Sequence, residues 1–75
     1  MVNTELLNKR IDDSGLKISF IVDKMGISKN AFYKKKDNKI PFRVAEIYVV
    51  SDLLRLTDEE KQDIFFAKEV NLEVN

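Results

Sequence analysis

The chain contains no cysteine and no histidine among its 75 residues. Disulfides, thiolate nucleophiles, imidazole bases and the usual zinc-ligand sets are therefore excluded, and we expect no metal or other cofactor. No apolar run approaches the roughly 20 residues that cross a bilayer, and the first residues lack the pattern of a signal peptide, so we expect a cytoplasmic protein without membrane contact. Two glycines, one proline and 44% hydrophobic residues are typical of a single helix-rich domain.

The charged residues are unevenly distributed along the chain, although the net charge is zero. Residues 29–39 carry five lysines and one aspartate, a net charge of +4. Residues 57–75 carry two lysines and six acidic residues, a net charge of −4. The sequence therefore predicts an electrostatic dipole with a basic middle segment and an acidic end.

Local signals predict an all-α, compact five-helix bundle with a short extended C-terminal tail. Asn3 or Thr4 and Ser28 can cap the first and third helices, and Thr57 with Glu60 forms a capping box for the fifth. Pro41 suits the start of the fourth helix, which is expected to end near residue 55. The first three helices are expected at about 4–14, 18–25 and 29–36. We expect one domain over residues 1–75, with its core at about 4–68 and a tail at 69–75.

Apolar spacing predicts which sides of the helices are buried. On the fourth helix the expected core residues are Val44, Ile47, Val50 and Leu54. Phe65 and Phe66 on the fifth helix are adjacent and cannot both point inward, so one of them is expected at a dimer surface. The tail residues Val70, Leu72 and Val74 alternate with polar residues, which is typical of an extended segment.

The segment 18–36 contains the clearest functional pattern, ISFIVDKMGISKNAFYKKK. Gly26, able to adopt a positive φ, the aliphatic Ile27 and the capping Ser28 follow one another between two short helices. This arrangement resembles the helix-turn-helix of the phage lambda-type repressor and Cro family, also called Xre-like regulators. The resemblance covers about residues 4–68. It implies a transcriptional regulator of phage or mobile-element type that binds a palindromic double-stranded DNA operator as a homodimer. We expect the dimer surface on the fifth helix and on residues 70–74, because this acidic end of the chain is kept away from phosphates.

The resemblance also implies which side chains meet DNA. With the third helix in the major groove, base contacts are expected from Ser28, Lys29, Asn30, Tyr33 and Lys34. Phosphate contacts are expected from Lys35, Lys36, Lys39 and Arg43. Where the family's third helix ends in an apolar residue, this chain has Lys35 and Lys36, so we expect their stems, or Ile40 and Phe42, to close the core.

Two other classes of function compete with this interpretation. Neighbouring acids such as Asp12 and Asp13 could suggest catalysis, but side chains adjacent on an exposed helix diverge in direction, so we expect neither an enzyme nor a small-molecule substrate. A helix-turn-helix scaffold can also serve as a protein-interaction module, for example an antirepressor or adaptor, and a net charge of zero permits that alternative.

Overall fold

The computed structural model describes residues 1–67, which form five helices and contain no strand. The helices are α1 (Thr4–Ser14), α2 (Ile18–Met25), α3 (Lys29–Lys36), α4 (Val44–Leu54) and α5 (Asp58–Phe65). The predicted all-α, five-helix fold is confirmed. The predicted extended tail at 69–75 lies outside the described residues.

Local capping explains where α1 and α5 begin. The side chain of Asn3 accepts a hydrogen bond from the Leu6 amide at 3.1 Å. At α5 the Glu60 amide donates to Thr57 Oγ1 at 3.1 Å, and the Thr57 amide donates to Glu60 Oε1 at 2.9 Å. Each cap satisfies amides that have no partner within the helix, so both predicted helix starts are confirmed.

Pro41 was predicted near the start of α4, and the structure places it in the loop just before that helix. The helix begins at Val44, and Arg43 is its extended N-terminal cap with φ −77° and ψ 152°. The Arg43 amide donates to Glu46 Oε1 at 2.9 Å, which places the first turn after Arg43. Pro41 therefore lies in the loop before the helix.

The buried side of α4 also differs from the prediction. Its buried residues are Glu46, Ile47, Val50 and Ser51, and Leu54 packs against the core from a partly buried position. Val44 lies at the edge of this stripe and is 66% exposed, so its predicted core position is wrong. The buried side of α4 therefore includes Glu46, because the Lys35 ammonium and the Arg43 amide hold the Glu46 carboxylate inside the protein.

The core lies between all five helices. Its buried apolar residues are Leu7, Ile11, Ile21, Val22, Phe32, Ile47, Val50, Ile64 and Phe65. The ring of Phe42 lies between Phe32 and Phe65 in edge-to-face contacts, with ring-centre distances of 6.1 and 5.4 Å. Phe42 therefore closes the core as expected, whereas Ile40 is exposed. Phe65 points inward and Phe66 outward, so only one of the two is buried, as predicted.

Among residues 1–67, no helix is long and apolar enough to cross a lipid bilayer.

Candidate nucleic-acid interface

The turn between α2 and α3 is built on Gly26. This glycine has φ +74°, the left-handed conformation that a side chain disfavours. The Ile27 amide donates to the Val22 carbonyl at 3.1 Å, and the Gly26 amide donates to the Asp23 carbonyl at 3.2 Å. These two bonds end α2 and redirect the chain within one residue. Gly26 thus has the positive φ that the sequence analysis expected between the second and third helices.

Two neighbouring residues, Ile27 and Ser28, position the start of α3. Ile27 packs against the core, and Ser28 Oγ accepts a hydrogen bond from the Ala31 amide at 3.1 Å. On the inner side of α3, Phe32 is completely buried. Its burial fixes the rotation of the helix about its own axis, and this rotation determines which side chains face outward.

The residues predicted to contact bases are all exposed on the outer side of α3. They are Ser28, Lys29, Asn30, Tyr33 and Lys34. Positions 29, 30, 33 and 34 share one broad face of the helix, with Asn30 and Lys34 farthest from Phe32 and Lys29 and Tyr33 towards the side of the face. We call this set, with Ser28 at its start, the α3 face. It presents cationic and amide hydrogen-bond donors beside the ring of Tyr33, which is 42% exposed.

The residues predicted to contact phosphates are not equivalent in the structure. Lys39 and Arg43 are exposed in and after the loop that follows α3. Lys36 is partly buried, with Nζ 2.7 Å from Asn8 Oδ1 of α1 and 5.1 Å from the centre of the Tyr33 ring. Lys36 is thus tied to α1, while Lys39 and Arg43 are the exposed cations of this set.

Lys35 requires a correction. Only 7% of this residue is exposed, and its Nζ lies 2.5 Å from Glu46 Oε1 on α4. A phosphate could reach this ammonium only after the ion pair had broken and the side chain had left the core. Lys35 is therefore removed from the predicted phosphate contacts. The expectation that a lysine stem closes the core at the end of α3 holds for Lys35.

Glu46 holds the end of α3 to the start of α4 and was missed in the sequence analysis. Burial alone would raise the pKa of Glu46, but hydrogen bonds from the Lys35 ammonium and the Arg43 amide, with the charges of both residues, outweigh burial and lower the pKa. The carboxylate is therefore ionised at neutral pH. Its sequence signal was its place as the third residue of α4, where a glutamate commonly accepts the amide of the capping residue.

The C-terminal end of α3 is fixed to the N-terminal segment by Asn38. Asn38 has φ +66°, a conformation that asparagine tolerates better than most residues. Its Oδ1 accepts from the Val2 amide at 2.8 Å, and its Nδ2 donates to the Val2 carbonyl at 2.9 Å. A single side chain therefore pairs with both backbone groups of a residue 36 positions away.

A second connection joins α1 to the same end of α3. The hydroxyl of Thr4 donates to the carbonyl of Lys36 at 2.5 Å, which satisfies a carbonyl that the end of a helix leaves without an internal partner. The α3 face is thus presented by a helix held at its start by Ser28, in its middle by Phe32 and at its end by α1.

The electrostatics of the basic segment follow from these contacts. Because Glu46 neutralises Lys35, residues 29–39 present four lysines against Asp37 outside the core, a net charge of +3. In the part of the chain that the structure describes, no three acidic side chains cluster closely enough to hold a metal ion. The arrangement therefore suits an anionic ligand that offers hydrogen-bond acceptors.

Comparisons with known proteins identified no relative of this chain. Protein-family models, curated proteins and solved structures all gave no match to the chain.

Proposed function

We propose that this chain is a sequence-specific DNA-binding transcriptional regulator that places α3 in the major groove of double-stranded DNA. The observation that carries the proposal is the α3 face: an exposed set of two lysines, an asparagine and a tyrosine on a helix whose other side is locked by Phe32. The resemblance to phage repressors and Cro makes a repressor of phage or mobile-element type, acting in the cytoplasm, the form of regulator that we propose.

The chemistry of the α3 face supports base recognition. The amide of Asn30 can bond to N6 and N7 of adenine, and Lys29 or Lys34 can donate to O6 and N7 of guanine. Each good base contact discriminates against the wrong base by about 1–3 kcal/mol. Because α3 is fixed at both ends, its backbone loses little additional freedom on binding, and the main ordering cost falls on the exposed side chains.

Phosphate contacts would come from the exposed Lys39 and Arg43, which flank the loop after α3. One domain offers few such contacts, so two copies on a palindromic operator would raise affinity and specificity. Their recognition helices would then lie about 34 Å apart, one turn of the duplex. The exposed Tyr48 on α4, with Lys61 of α5 stacked 5.2 Å from its ring centre, offers a surface for this homodimer.

A fluorescence titration with a labelled duplex at several salt concentrations tests the proposal. Binding should weaken steeply as salt is added, because each neutralised phosphate releases counterions. Lys34→Met should weaken binding and Lys39→Met should lower the salt slope by about 1. The charge-matched control is Lys9→Met on α1, which removes the same charge from an exposed position outside the α3 face and should leave binding unchanged.

Two outcomes would contradict the proposal. One is equal binding by the Lys34, Lys39 and Lys9 variants, which would mean that overall charge alone attracts the duplex. The other is no binding of random or selected duplexes at low salt. That result would favour the alternative function, a protein-interaction module in which a helix-turn-helix scaffold binds a protein partner instead of DNA.

A further inference from the structure

A cleft of about 500 Å³ opens beside the start of α4. It lies between the loop after α3, the first turn of α4, the end of α5 and the first residues of the chain. The cleft reaches the core, because the buried residues Ile47 and Phe65 form part of its lining. Sites for small molecules typically occupy roughly 300–1,000 Å³. The cleft therefore has the depth and volume of a small-molecule site.

The lining of the cleft is mainly apolar. Nine of its eleven residues have apolar side chains, and three of these, Ile40, Val44 and Phe66, are 39%, 66% and 48% exposed. Exposed apolar side chains gathered on so small a domain are typical of a binding surface. Covering them with hydrocarbon is favourable, because it removes apolar surface from water. The occupant should therefore have an apolar body.

Lys39 gives the cleft its charge, because it is the only charged side chain among the lining residues. It is exposed and forms no ion pair with an acidic residue within residues 1–67. Asn38, the other polar residue of the lining, already uses its amide oxygen and nitrogen to bond Val2. An ammonium without a carboxylate partner beside apolar walls favours a ligand that carries one negative charge.

The walls of the cleft are held in place before any ligand binds. The two hydrogen bonds from Asn38 to Val2, at 2.8 and 2.9 Å, join the loop after α3 to the N-terminal segment, and these form two sides of the cleft. Phe42 and Phe65 line it in edge-to-face contact, with ring centres 5.4 Å apart. Because the cleft is preformed, little ordering of the protein opposes binding.

We propose that this cleft binds a small apolar monocarboxylic acid, the chemical class to which fatty acids of medium chain length belong. The hydrocarbon chain lies against Val44, Ile47 and Phe66, and the carboxylate pairs with the ammonium of Lys39. Such an acid is ionised at neutral pH, so its charge complements that of Lys39. The inference goes beyond the proposed DNA binding and does not depend on it.

A titration of the isotope-labelled chain with sodium octanoate at neutral pH, followed by NMR, tests the inference. The methyl signals of Ile40, Val44 and Ile47 should shift and saturate. The ring signals of Phe20, which is 43% exposed on α2 and does not line the cleft, should stay in place. Sodium acetate, which lacks the apolar chain, should cause no shift. Octan-1-ol, which lacks the charge, should move the same signals with weaker affinity.

Two pairs of variants separate the charge from the apolar wall. Lys39→Gln should weaken octanoate binding about 2–5-fold and leave octan-1-ol binding unchanged, whereas Lys34→Gln, outside the cleft, should change neither. Val44→Asp should weaken octanoate binding about ten-fold, because it replaces an apolar contact by a second carboxylate. Ala45→Asp adds the same charge at the next residue, which does not line the cleft, and should have little effect. Aspartate is favourable in the first turn of a helix, so both variants should fold.

The inference would be overturned if octanoate bound no more tightly than octan-1-ol, or if the Lys39 and Lys34 variants behaved alike. Equal shifts at Phe20 and Val44 would show adsorption to any exposed apolar side chain, which also contradicts a defined site. Movement of the Ile40 and Val44 signals on dilution of the protein alone would assign the cleft to a second copy and would equally overturn the inference. Because every readout is made without DNA, failure here leaves the proposed DNA binding to be judged by its own titration.

Discussion

Lys35 Nζ lies 2.5 Å from Glu46 Oε1, and both residues are buried, with 7% and 8% of their surfaces exposed. The same carboxylate oxygen accepts the Arg43 amide at 2.9 Å. One glutamate thus joins the last turn of α3 to the first turn of α4. An ion pair of this kind contributes little net stability compared with an apolar pair, but removal of one partner leaves a buried charge without compensation.

The first prediction follows from that asymmetry. Lys35→Met should destabilise the fold by about 3–5 kcal/mol, because the Glu46 carboxylate remains buried without its cation. Adding Glu46→Gln should recover most of the loss, since glutamine is neutral and its amide oxygen can still accept the Arg43 amide. Urea denaturation of the three proteins measures this coupling. Losses that simply add in the double variant would show that the two side chains do not interact.

The second prediction concerns pH. Because the pKa of Glu46 is lowered in the folded state, its ionised form contributes stability that is fully present above the ordinary pKa of a glutamate. This stability is lost as the pH falls through the lowered folded pKa. The wild-type chain should therefore lose more unfolding free energy on acidification than the Lys35→Met/Glu46→Gln variant. Denaturant titrations from neutral to acidic pH provide the comparison, and parallel curves would contradict it.

The third prediction concerns the hydroxyl of Ser51, on the buried side of α4. Ser51 is 2% exposed, and its Oγ has no hydrogen-bond partner among the described residues. Ser51→Ala should raise the unfolding free energy by about 1 kcal/mol, because it removes a desolvated polar group and favours the helix. Thermal unfolding measures the change.

Ser14 is the matched control for Ser51. Its hydroxyl donates to the Ile11 carbonyl at 2.6 Å and accepts the Leu16 amide at 3.1 Å. Ser14→Ala should therefore destabilise the fold. A loss of stability in both alanine variants would mean that the Ser51 hydroxyl is hydrogen-bonded in solution.

The fourth prediction separates backbone strain from side-chain pairing at Asn38. Glycine tolerates the positive φ of this position but cannot bond to Val2, so Asn38→Gly should cost about 1 kcal/mol for two exposed hydrogen bonds. Arg55 also has a positive φ, +55°, at the end of α4. Arg55→Gly should therefore stabilise the fold by about 0.5–1 kcal/mol, because glycine adopts this left-handed conformation without the strain that a side chain causes.

Unfolding free energies of the two glycine variants, with hydrogen exchange at the Val2 amide, check this prediction. Exchange at Val2 should accelerate in Asn38→Gly and stay unchanged in Arg55→Gly. If both variants were stabilised, the Asn38–Val2 pairing would contribute nothing, and the attachment of the N-terminal segment to the end of α3 would need another cause.

The candidate site was predictable where its determinants are local. Ser28 and Gly26 act on neighbours within four residues, so the bounds of α3 could be predicted, and with them the side that carries Lys29, Asn30 and Lys34. Lys35 was predicted to be an exposed phosphate contact, but it is buried. Its partner is 11 residues away on another helix, and a run of three lysines does not indicate which one turns inward.

The sequence by itself determined the five helices and most of their ends, because capping side chains and glycines with positive φ act through hydrogen bonds within one turn. Tertiary structure alone decided that Lys35 and Glu46 are buried together and that Asn38 holds Val2. These features depend on groups brought together from distant positions. Burial and ion pairing arise when whole helices pack, so the properties of single residues do not specify them.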